Sequence, residues 1–212
     1  MHDERSIAID LGGTIEDTWQ QKNLWFSKRG YELGSEPLSR TEALDLIGGD
    51  EALYVEMINS VYDDKSILGH SLCAGCRDAL RIIATDYQIC LLSSRSPLQL
   101  DATLQWLCTV GIANCITELA LIGDREAKLD WCERHRISVL IDDDVRHLNA
   151  GLLYTGTTRI HYAPGNCRRI PESSQFSTAS SWEEIVSILR VLRARKIEVE
   201  HCALAASTSL AQ

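Results

Sequence analysis

The chain has 212 residues and a formal net charge of −9 at pH 7, with 45% hydrophobic and 24% charged residues. This composition is typical of a globular protein and excludes a collagen, a coiled coil and a wholly disordered chain. The acidic balance, with no run of Lys or Arg longer than a pair, argues against binding to the phosphate backbone of nucleic acids. A small molecule is therefore the better candidate ligand.

The apolar pattern also argues against a membrane partner. No apolar stretch approaches the roughly 18 residues that a membrane-spanning helix needs, and the polar start of the chain lacks the regions of a signal peptide. Eight cysteines without such a leader are typical of reduced thiols in a cytosolic protein. We therefore expect a cytoplasmic protein, and the oligomeric state stays open.

The first predicted element is a short buried strand over residues 6–11 that ends at Gly12 and Gly13. Residues 15–69 then combine clustered aromatic side chains with apolar residues at helical spacing, and include a turn-like segment at 34–37. This pattern predicts several short helices and no strong strand. We interpret the segment as an inserted helical module.

From about residue 70, predicted strands and helices alternate. The strands are 87–93, 116–122, 138–142 and 158–162, and the helices are 77–84, 98–110, 124–135, 145–153 and 181–195. Leu100, Leu104 and Leu107 share one face of the second helix, and Ser181 to Glu184 forms a Ser-x-x-Glu capping box for the last. Strands separated by such helices predict βαβ units and a parallel sheet.

Polar residues follow three of the predicted strands. They are Asp10, the segment 93–95 (Ser-Ser-Arg) and the segment 142–144 (Asp-Asp-Asp). Ligands of open parallel sheets bind outside the carboxyl ends of the strands. Carboxylates packed together there repel one another unless a cation neutralises them, and Mg²⁺ prefers oxygen ligands. Lys128 could supply the positive charge that balances a phosphate or other anion.

Four segments, taken in order, resemble the motifs of the haloacid dehalogenase-like (HAD) superfamily. They are Ile-Asp-Leu-Gly-Gly-Thr at 9–14, Leu-Leu-Ser-Ser-Arg at 91–95, Lys128, and Leu-Ile-Asp-Asp at 140–143. The helical segment after the first motif is similar to a C1-type cap, and the order of Lys, strand and Asp-Asp is similar to that of the deoxyribonucleotidase-like branch.

The resemblance implies an α/β fold with a three-layer Rossmann-like core, a parallel sheet and a small inserted helical cap. The core would comprise residues 1–14 and 70–200, and the cap residues 15–69. Residues 201–212 would form a flexible tail.

The resemblance also implies a Mg²⁺-dependent phosphohydrolase or phosphoryl-transfer enzyme that acts on a small phosphorylated metabolite. Asp10 would be the nucleophile that forms an aspartyl-phosphate. Ser93 would hydrogen-bond the transferring phosphoryl group, and Lys128 would neutralise its charge and hold Asp10 in place. A small anionic substrate is therefore the expected partner.

The same resemblance implies metal and substrate contacts. Mg²⁺ would be bound by Asp10, the backbone carbonyl of Gly12, Asp142 and, directly or as their neighbour, Asp143. The expected substrate contacts are Thr14, which would also tie down the turn, Ser94 and Arg95.

Gly12 departs from the phosphatase pattern. Phosphatases of the superfamily usually carry a second Asp at this position, which protonates the leaving group and later activates water. Losing such an acid costs about 10²- to 10⁴-fold in rate. One alternative is therefore a phosphatase-inactive binding or regulatory protein, in which Gly12→Asp would create or raise activity. Another is cleavage of a carbon-phosphorus or carbon-carbon bond by a cap lysine: Lys22, Lys28 or Lys65.

Plainer roles remain open for several of these residues. Asp10 could form a turn, the segment 142–144 could cap a helix, and Arg95 and Lys128 could be solvated. The C-x-x-C pair of Cys73 and Cys76 could be a redox or zinc site, although no second pair at matching spacing completes a zinc site. The other six cysteines are typical of small core residues.

His147 has two interpretations as well. It could replace the missing acid or base, or it could be a partly exposed helix histidine.

Overall fold

Six parallel strands form a sheet in this chain. The structure is a computed structural model that describes residues 5–34, 37–123, 126–149, 156–165 and 176–209, with side chains to residue 195. The strands are β1 (Ser6–Ile9), β2 (Glu16–Asp17), β3 (Ser71–Leu72), β4 (Gln88–Ser93), β5 (Glu118–Leu121), β6 (Val139–Asp142), β7 (Thr158–Tyr162) and β8 (Ser177–Ala179). The sheet order is β5-β4-β1-β6-β7-β8, and all its pairs are parallel. Strands β2 and β3 form a separate antiparallel pair.

Helices flank this sheet. They are α1 (Trp19–Ser27), α2 (Arg40–Leu46), α3 (Glu51–Val61), α4 (Asp64–Leu68), α5 (Cys76–Ile83), α6 (Leu100–Thr109), α7 (Lys128–Arg134), α8 (Val145–Asn149) and α9 (Trp182–Ser209), with short 3₁₀ turns at Pro97–Gln99 and Ala113–Cys115.

Both faces of the sheet are covered because the strand side chains alternate between two hydrophobic clusters. Ile7 and Ile9 of β1 join the cluster formed with α5, α6 and α9, whereas Ala8 joins the cluster formed with α7 and α8. Helices on both faces of a parallel sheet make three layers. The predicted α/β Rossmann-like class is therefore confirmed.

Helices α1–α4, which we call the helical insertion (residues 19–68), have a hydrophobic cluster of their own. Its most buried members are Trp25, Phe26, Met57 and Val61. The β2–β3 pair lies at the two ends of the insertion, where the chain leaves the sheet and returns to it. The helices agree with the sequence pattern, and the role of residues 15–69 as a cap stays a prediction.

The buried face of α6 is not the face that carries most of its leucines. Leu100 and Leu104 are 40% and 45% exposed, so the face that they share with Leu107 is not the core face. The buried stripe runs instead through Thr103, Trp106 and Leu107. Trp106 sets this orientation because its ring is fully buried and its indole N–H donates a 2.8 Å hydrogen bond to the His70 carbonyl.

Other differences between the predicted and the observed elements are small. Strand β8 was not anticipated, since three residues are too few to show a strand period. The capping pattern before α9 exists, with the Ser181 hydroxyl accepting from the Glu184 N–H and the Glu184 carboxylate accepting from Ser180.

Parts of four predicted elements lie outside the described residues. They are residues 35–36 of the predicted turn, residues 124–125 at the start of one helix, residues 150–153 at the end of another, and residues 210–212 of the predicted flexible tail. The α9 backbone is helical as far as Ser209. None of the described helices combines the length and apolar character needed to cross a membrane.

The packing of α6 can be tested with two substitutions on the same helix. Trp106→Ala is expected to lower the free energy of unfolding by about 3–5 kcal/mol, because it leaves a cavity in the core and an unpaired carbonyl. Leu104→Ala is expected to change it by at most about 0.5 kcal/mol, because the side chain is half exposed. Urea unfolding of both variants measures this difference, and equal losses would contradict the described face.

Candidate active site

Three carboxylates meet at the carboxyl ends of two neighbouring strands. Asp10 directly follows β1, Asp142 ends β6, and Asp143 follows it. The two strands are held in register, with Ile9 opposite Ile141 and the Asp10 N–H donating to the Ile141 carbonyl at 2.8 Å. One oxygen of each carboxylate therefore lies within 4.8 Å of the others.

Lys128 supplies the positive charge in this cluster. It is the first residue of α7 and is 2% exposed. Its ammonium donates hydrogen bonds to Asp10 Oδ1 and, at 2.7 Å, to Asp142 Oδ2. Burial opposes the charged form, but the two carboxylates outweigh burial and raise the pKa of Lys128. The lysine is therefore an ammonium ion in contact with Asp10, and it is not a solvated surface residue.

The cluster contains more acidic than basic groups. Burial is the largest cause of the raised pKa of Asp142 and of Asp143, and the charge of Asp10 raises both further. When ionised, three carboxylates and one ammonium leave two negative charges without a partner in the cluster. An oxygen-ligand set with this charge fits a divalent cation such as Mg²⁺.

The turn between β1 and β2 shapes the same cluster. The Thr14 hydroxyl donates to Asp143 Oδ1 at 3.1 Å, so Thr14 orients a carboxylate, as expected for a residue that ties down the turn. Gly13 has a φ of +95°, and any Cβ at this position would overlap the Asp143 carboxylate. Only glycine satisfies both constraints.

Two serines lie at the end of β4, beside β1. Ser93 is 4% exposed, and its hydroxyl accepts a 3.4 Å hydrogen bond from the Arg95 N–H. Ser94 is partly exposed. The strand order thus brings Ser93 to the same sheet edge as Asp10, and both serines remain predicted phosphoryl or substrate contacts.

Arg95 belongs to a second buried ionic group, and its interpretation as a solvated arginine is wrong. Its two terminal nitrogens donate to the Glu16 carboxylate, one of them at 2.8 Å. His70 Nδ1 lies 3.2 Å from Glu16 Oε2. These three residues are nearly fully buried beside the β2–β3 pair. Since Glu16 occupies both terminal nitrogens, the expected contact between Arg95 and a substrate stays a prediction.

Tyr62, at the end of α3, was not anticipated from the sequence. Its hydroxyl occupies the space into which any Cβ at Gly12 would project, and its Cζ would lie 3.1 Å from that Cβ. The Arg95 guanidinium stacks over its ring at 4.5 Å. Gly12→Asp therefore requires Tyr62 to move, and this substitution alone is a poorer test of a lost acid than the sequence suggested.

The cysteine pair gains no support as a redox site. Burial raises the pKa of Cys73 to about 12 and also raises that of Cys76. Both thiols are therefore protonated at neutral pH, which makes them weak nucleophiles and weak metal ligands. The metal-ligand cluster found among the described residues contains only the three aspartates.

His147 and Lys22 lie near the aspartates. His147 is partly buried on α8, and burial followed by the Lys128 charge lowers its pKa, so it is neutral. Lys22 of α1 is partly buried, and its charge opposes the rise in the pKa of Asp143 caused by burial and by Asp10. Lys28 and Lys65 are exposed.

Solved structures of similar fold are HAD-like hydrolases. A haloacid dehalogenase-like protein of unknown function from Agrobacterium tumefaciens has a TM-score of 0.63 and 16% identity, covering 89% of this chain and 99% of its own. A putative phosphoglycolate phosphatase from Lactobacillus plantarum has a TM-score of 0.60 and 10% identity, covering 87% and 98%. The putative HAD-hydrolase YfnB from Bacillus subtilis, bound to magnesium, has a TM-score of 0.58 and 14% identity, covering 87% and 98%.

At the level of sequence, no protein-family model and no curated protein matches this chain. At 10–16% identity, the structural matches show the fold. The chain therefore has the fold of the HAD-like hydrolases.

The raised pKa of Asp143 predicts how the stability of the metal-free protein depends on pH. Burial, followed by the Asp10 charge, raises this pKa to about 7, whereas an unfolded aspartate titrates near about 3.9. Between these values the folded state holds a proton that the unfolded state has lost, so stability falls as the pH rises. Thermal melting in chelator is expected to show a lower Tm at about pH 8 than at about pH 5.

Asp143→Asn should make this pH profile less steep, because the amide does not titrate, while Asp142, whose pKa burial also raises, still contributes. Asp101→Asn, on the exposed surface of α6, should leave it unchanged. A profile that keeps its slope in Asp143→Asn would contradict the assignment.

The buried Arg95–Glu16 pair predicts a large effect on stability. Arg95→Met is expected to cost about 3–5 kcal/mol, because it leaves the Glu16 carboxylate buried without its main partner. Arg81→Met, which breaks the exposed Arg81–Asp78 pair, should cost at most about 1 kcal/mol. Similar losses in urea unfolding would show that the Arg95 pair is solvated.

Proposed function

We propose that this protein is a Mg²⁺-dependent phosphohydrolase of the HAD-like superfamily, acting on a small phosphorylated metabolite through an aspartyl-phosphate on Asp10. One observation carries the proposal. The Lys128 ammonium contacts Asp10 and Asp142, while Asp143 completes a carboxylate cluster at the sheet edge where such ligands bind. The magnesium in the similarly folded YfnB and the name of the Lactobacillus plantarum protein support the same chemistry.

The first step would use Asp10 as the nucleophile. A carboxylate oxygen of Asp10 attacks phosphorus and forms a new P–O bond, while the bond to the leaving oxygen breaks and that oxygen keeps the electron pair. Lys128 holds the carboxylate and balances the negative charge of the transferring group. Ser93 lies at the end of the adjacent strand and would donate a hydrogen bond to a phosphoryl oxygen.

The second step would regenerate the enzyme. Water attacks the aspartyl-phosphate, the P–O bond to Asp10 breaks, and the carboxylate is restored with release of inorganic phosphate and a proton to solvent. Mg²⁺ held by Asp10, Asp142, Asp143 and the Gly12 carbonyl would supply positive charge to the phosphate oxygens when bound.

Gly12 restricts the choice of substrate. Its lack of a side chain means that residue 12 cannot give a proton to the leaving oxygen. Esters with a weakly basic leaving oxygen should therefore react faster than esters of simple alcohols.

The cytoplasmic location and the absence of nucleic-acid and membrane partners stay predictions.

Steady-state hydrolysis of p-nitrophenyl phosphate tests the proposal. Wild type is expected to be active with Mg²⁺ and inactive in chelator. Asp10→Asn and Lys128→Met should each lower kcat/KM by at least about 10³-fold, since both remove parts of the reacting centre. The matched controls Asp78→Asn and Lys28→Met change exposed residues and should keep wild-type rates.

Results that contradict the proposal would distinguish the alternative functions. Turnover that persists in Asp10→Asn would refute the aspartyl-phosphate. Phosphate binding without turnover of any ester would favour a binding protein. Borohydride trapping of an aldehyde substrate on Lys22 would favour carbon-phosphorus or carbon-carbon cleavage by a lysine of the insertion.

A further inference from the structure

The hydroxyl of Tyr62 takes the space that a side chain at position 12 would need. Its oxygen overlaps the Cβ position of Gly12. The charges of Asp10 and Asp143 both act on this hydroxyl: after burial, they are the largest causes of its raised pKa. The phenol is therefore neutral and lies beside the carboxylate cluster, although it belongs to the helical insertion and not to the sheet.

Contacts on several sides hold the Tyr62 side chain. The Arg95 guanidinium covers the ring at 4.5 Å, and the His70 ring meets it edge-on at 6.3 Å. The Gln99 side chain donates a hydrogen bond to the Tyr62 carbonyl. A side-chain hydrogen bond between Thr18 and Tyr62 acts against the larger effects that raise the Tyr62 pKa.

The buried Glu16–Arg95–His70 group therefore has a second consequence. Since Glu16 fixes Arg95, and Arg95 covers the tyrosine ring, the ionic group orients a side chain that reaches the candidate active site. A donor held in place before the reaction stabilises developing charge without reorganisation.

The direction of attack indicates what this hydroxyl would meet. In-line displacement places the attacking and leaving oxygens on opposite sides of phosphorus. The attacking carboxylate of Asp10 stands on the sheet, so the leaving oxygen points away from the sheet. The Tyr62 hydroxyl lies at the Cβ position of residue 12, two residues after Asp10, so it is placed to meet a group bound against that carboxylate.

We propose that Tyr62 is a catalytic residue that donates a hydrogen bond from its neutral hydroxyl to the leaving oxygen of a phosphate monoester. The inference rests on the proposed function, and it extends the substrate class to esters whose leaving oxygen is more basic than that of p-nitrophenol. The P–O bond breaks as described above, the leaving oxygen keeps the electron pair, and its proton comes from water. The phenol keeps its own proton throughout.

A pair of esters of similar size tests this role. Tyr62→Phe is expected to lower kcat for phenyl phosphate about tenfold and to change kcat for p-nitrophenyl phosphate by less than about twofold, because the more basic leaving oxygen depends more on a donor. Tyr31→Phe is the matched control, since Tyr31 also lies in the region of the insertion and packs on Phe26 at 5.7 Å. It should leave the ratio of the two rates at the wild-type value.

Other outcomes overturn the inference in distinguishable ways. An equal fall for both esters would make Tyr62 a packing residue, and no change for either would remove it from the reaction. If neither ester shows Asp10-dependent turnover in wild type, the proposed function fails and this inference fails with it.

A stability measurement checks the placement of Tyr62 without any turnover. Gly12→Ala should lower the Tm in the wild-type background, because its methyl group overlaps the phenol. In a Tyr62→Ala background the same substitution should have little effect. Equal losses in the two backgrounds would show that Tyr62 does not occupy this space in solution, which would overturn the proposal.

Discussion

The buried ammonium of Lys128 is the interaction on which the candidate active site depends. Asp10 and Asp142 end adjacent strands and are almost fully buried, so their charges repel one another in a medium that screens poorly. Lys128 offsets part of this repulsion by bonding to both. The balance is incomplete because Asp143 adds a third carboxylate. When its carboxylates are ionised, the cluster therefore has excess negative charge, which fits a divalent cation.

The second buried ionic group, formed by Glu16 and Arg95, has balanced charges. Glu16 and Arg95 form a two-pronged pair of equal and opposite charges, so this group needs no added ion. It stands at the β2–β3 pair, where the helical insertion joins the sheet, and Arg95 also covers the ring of Tyr62. The two ionic groups therefore differ in role. The Glu16–Arg95 pair, whose charges balance, lies at the junction between the insertion and the sheet, whereas the aspartate cluster, with more acidic than basic groups, can bind a cation.

The sequence predicted the sheet and the edge at which its carboxylates lie because both depend on local patterns. Short apolar runs separated by helices indicate parallel strands, and polar residues such as Asp10 and Asp142 at the ends of those runs must then meet at one edge. The buried face of α6 does not follow from helical spacing, although Leu100, Leu104 and Leu107 share one face. The bulk of Trp106 turned the helix, and periodicity alone does not weigh one large ring against several leucines.

The sequence by itself determined the fold class and the order of the strands along the chain, because both depend on local patterns, and its resemblance to the HAD-like motifs indicated the candidate nucleophile, lysine and acidic pair. Only the tertiary structure decided the partners of Arg95 and the position of Tyr62. Glu16 and Arg95 are 79 positions apart. Tyr62 lies 50 residues after Gly12 and directly after α3, whose pattern reflects only its own packing. Such contacts depend on how the insertion folds back against the sheet, and no period in a single sequence records that geometry.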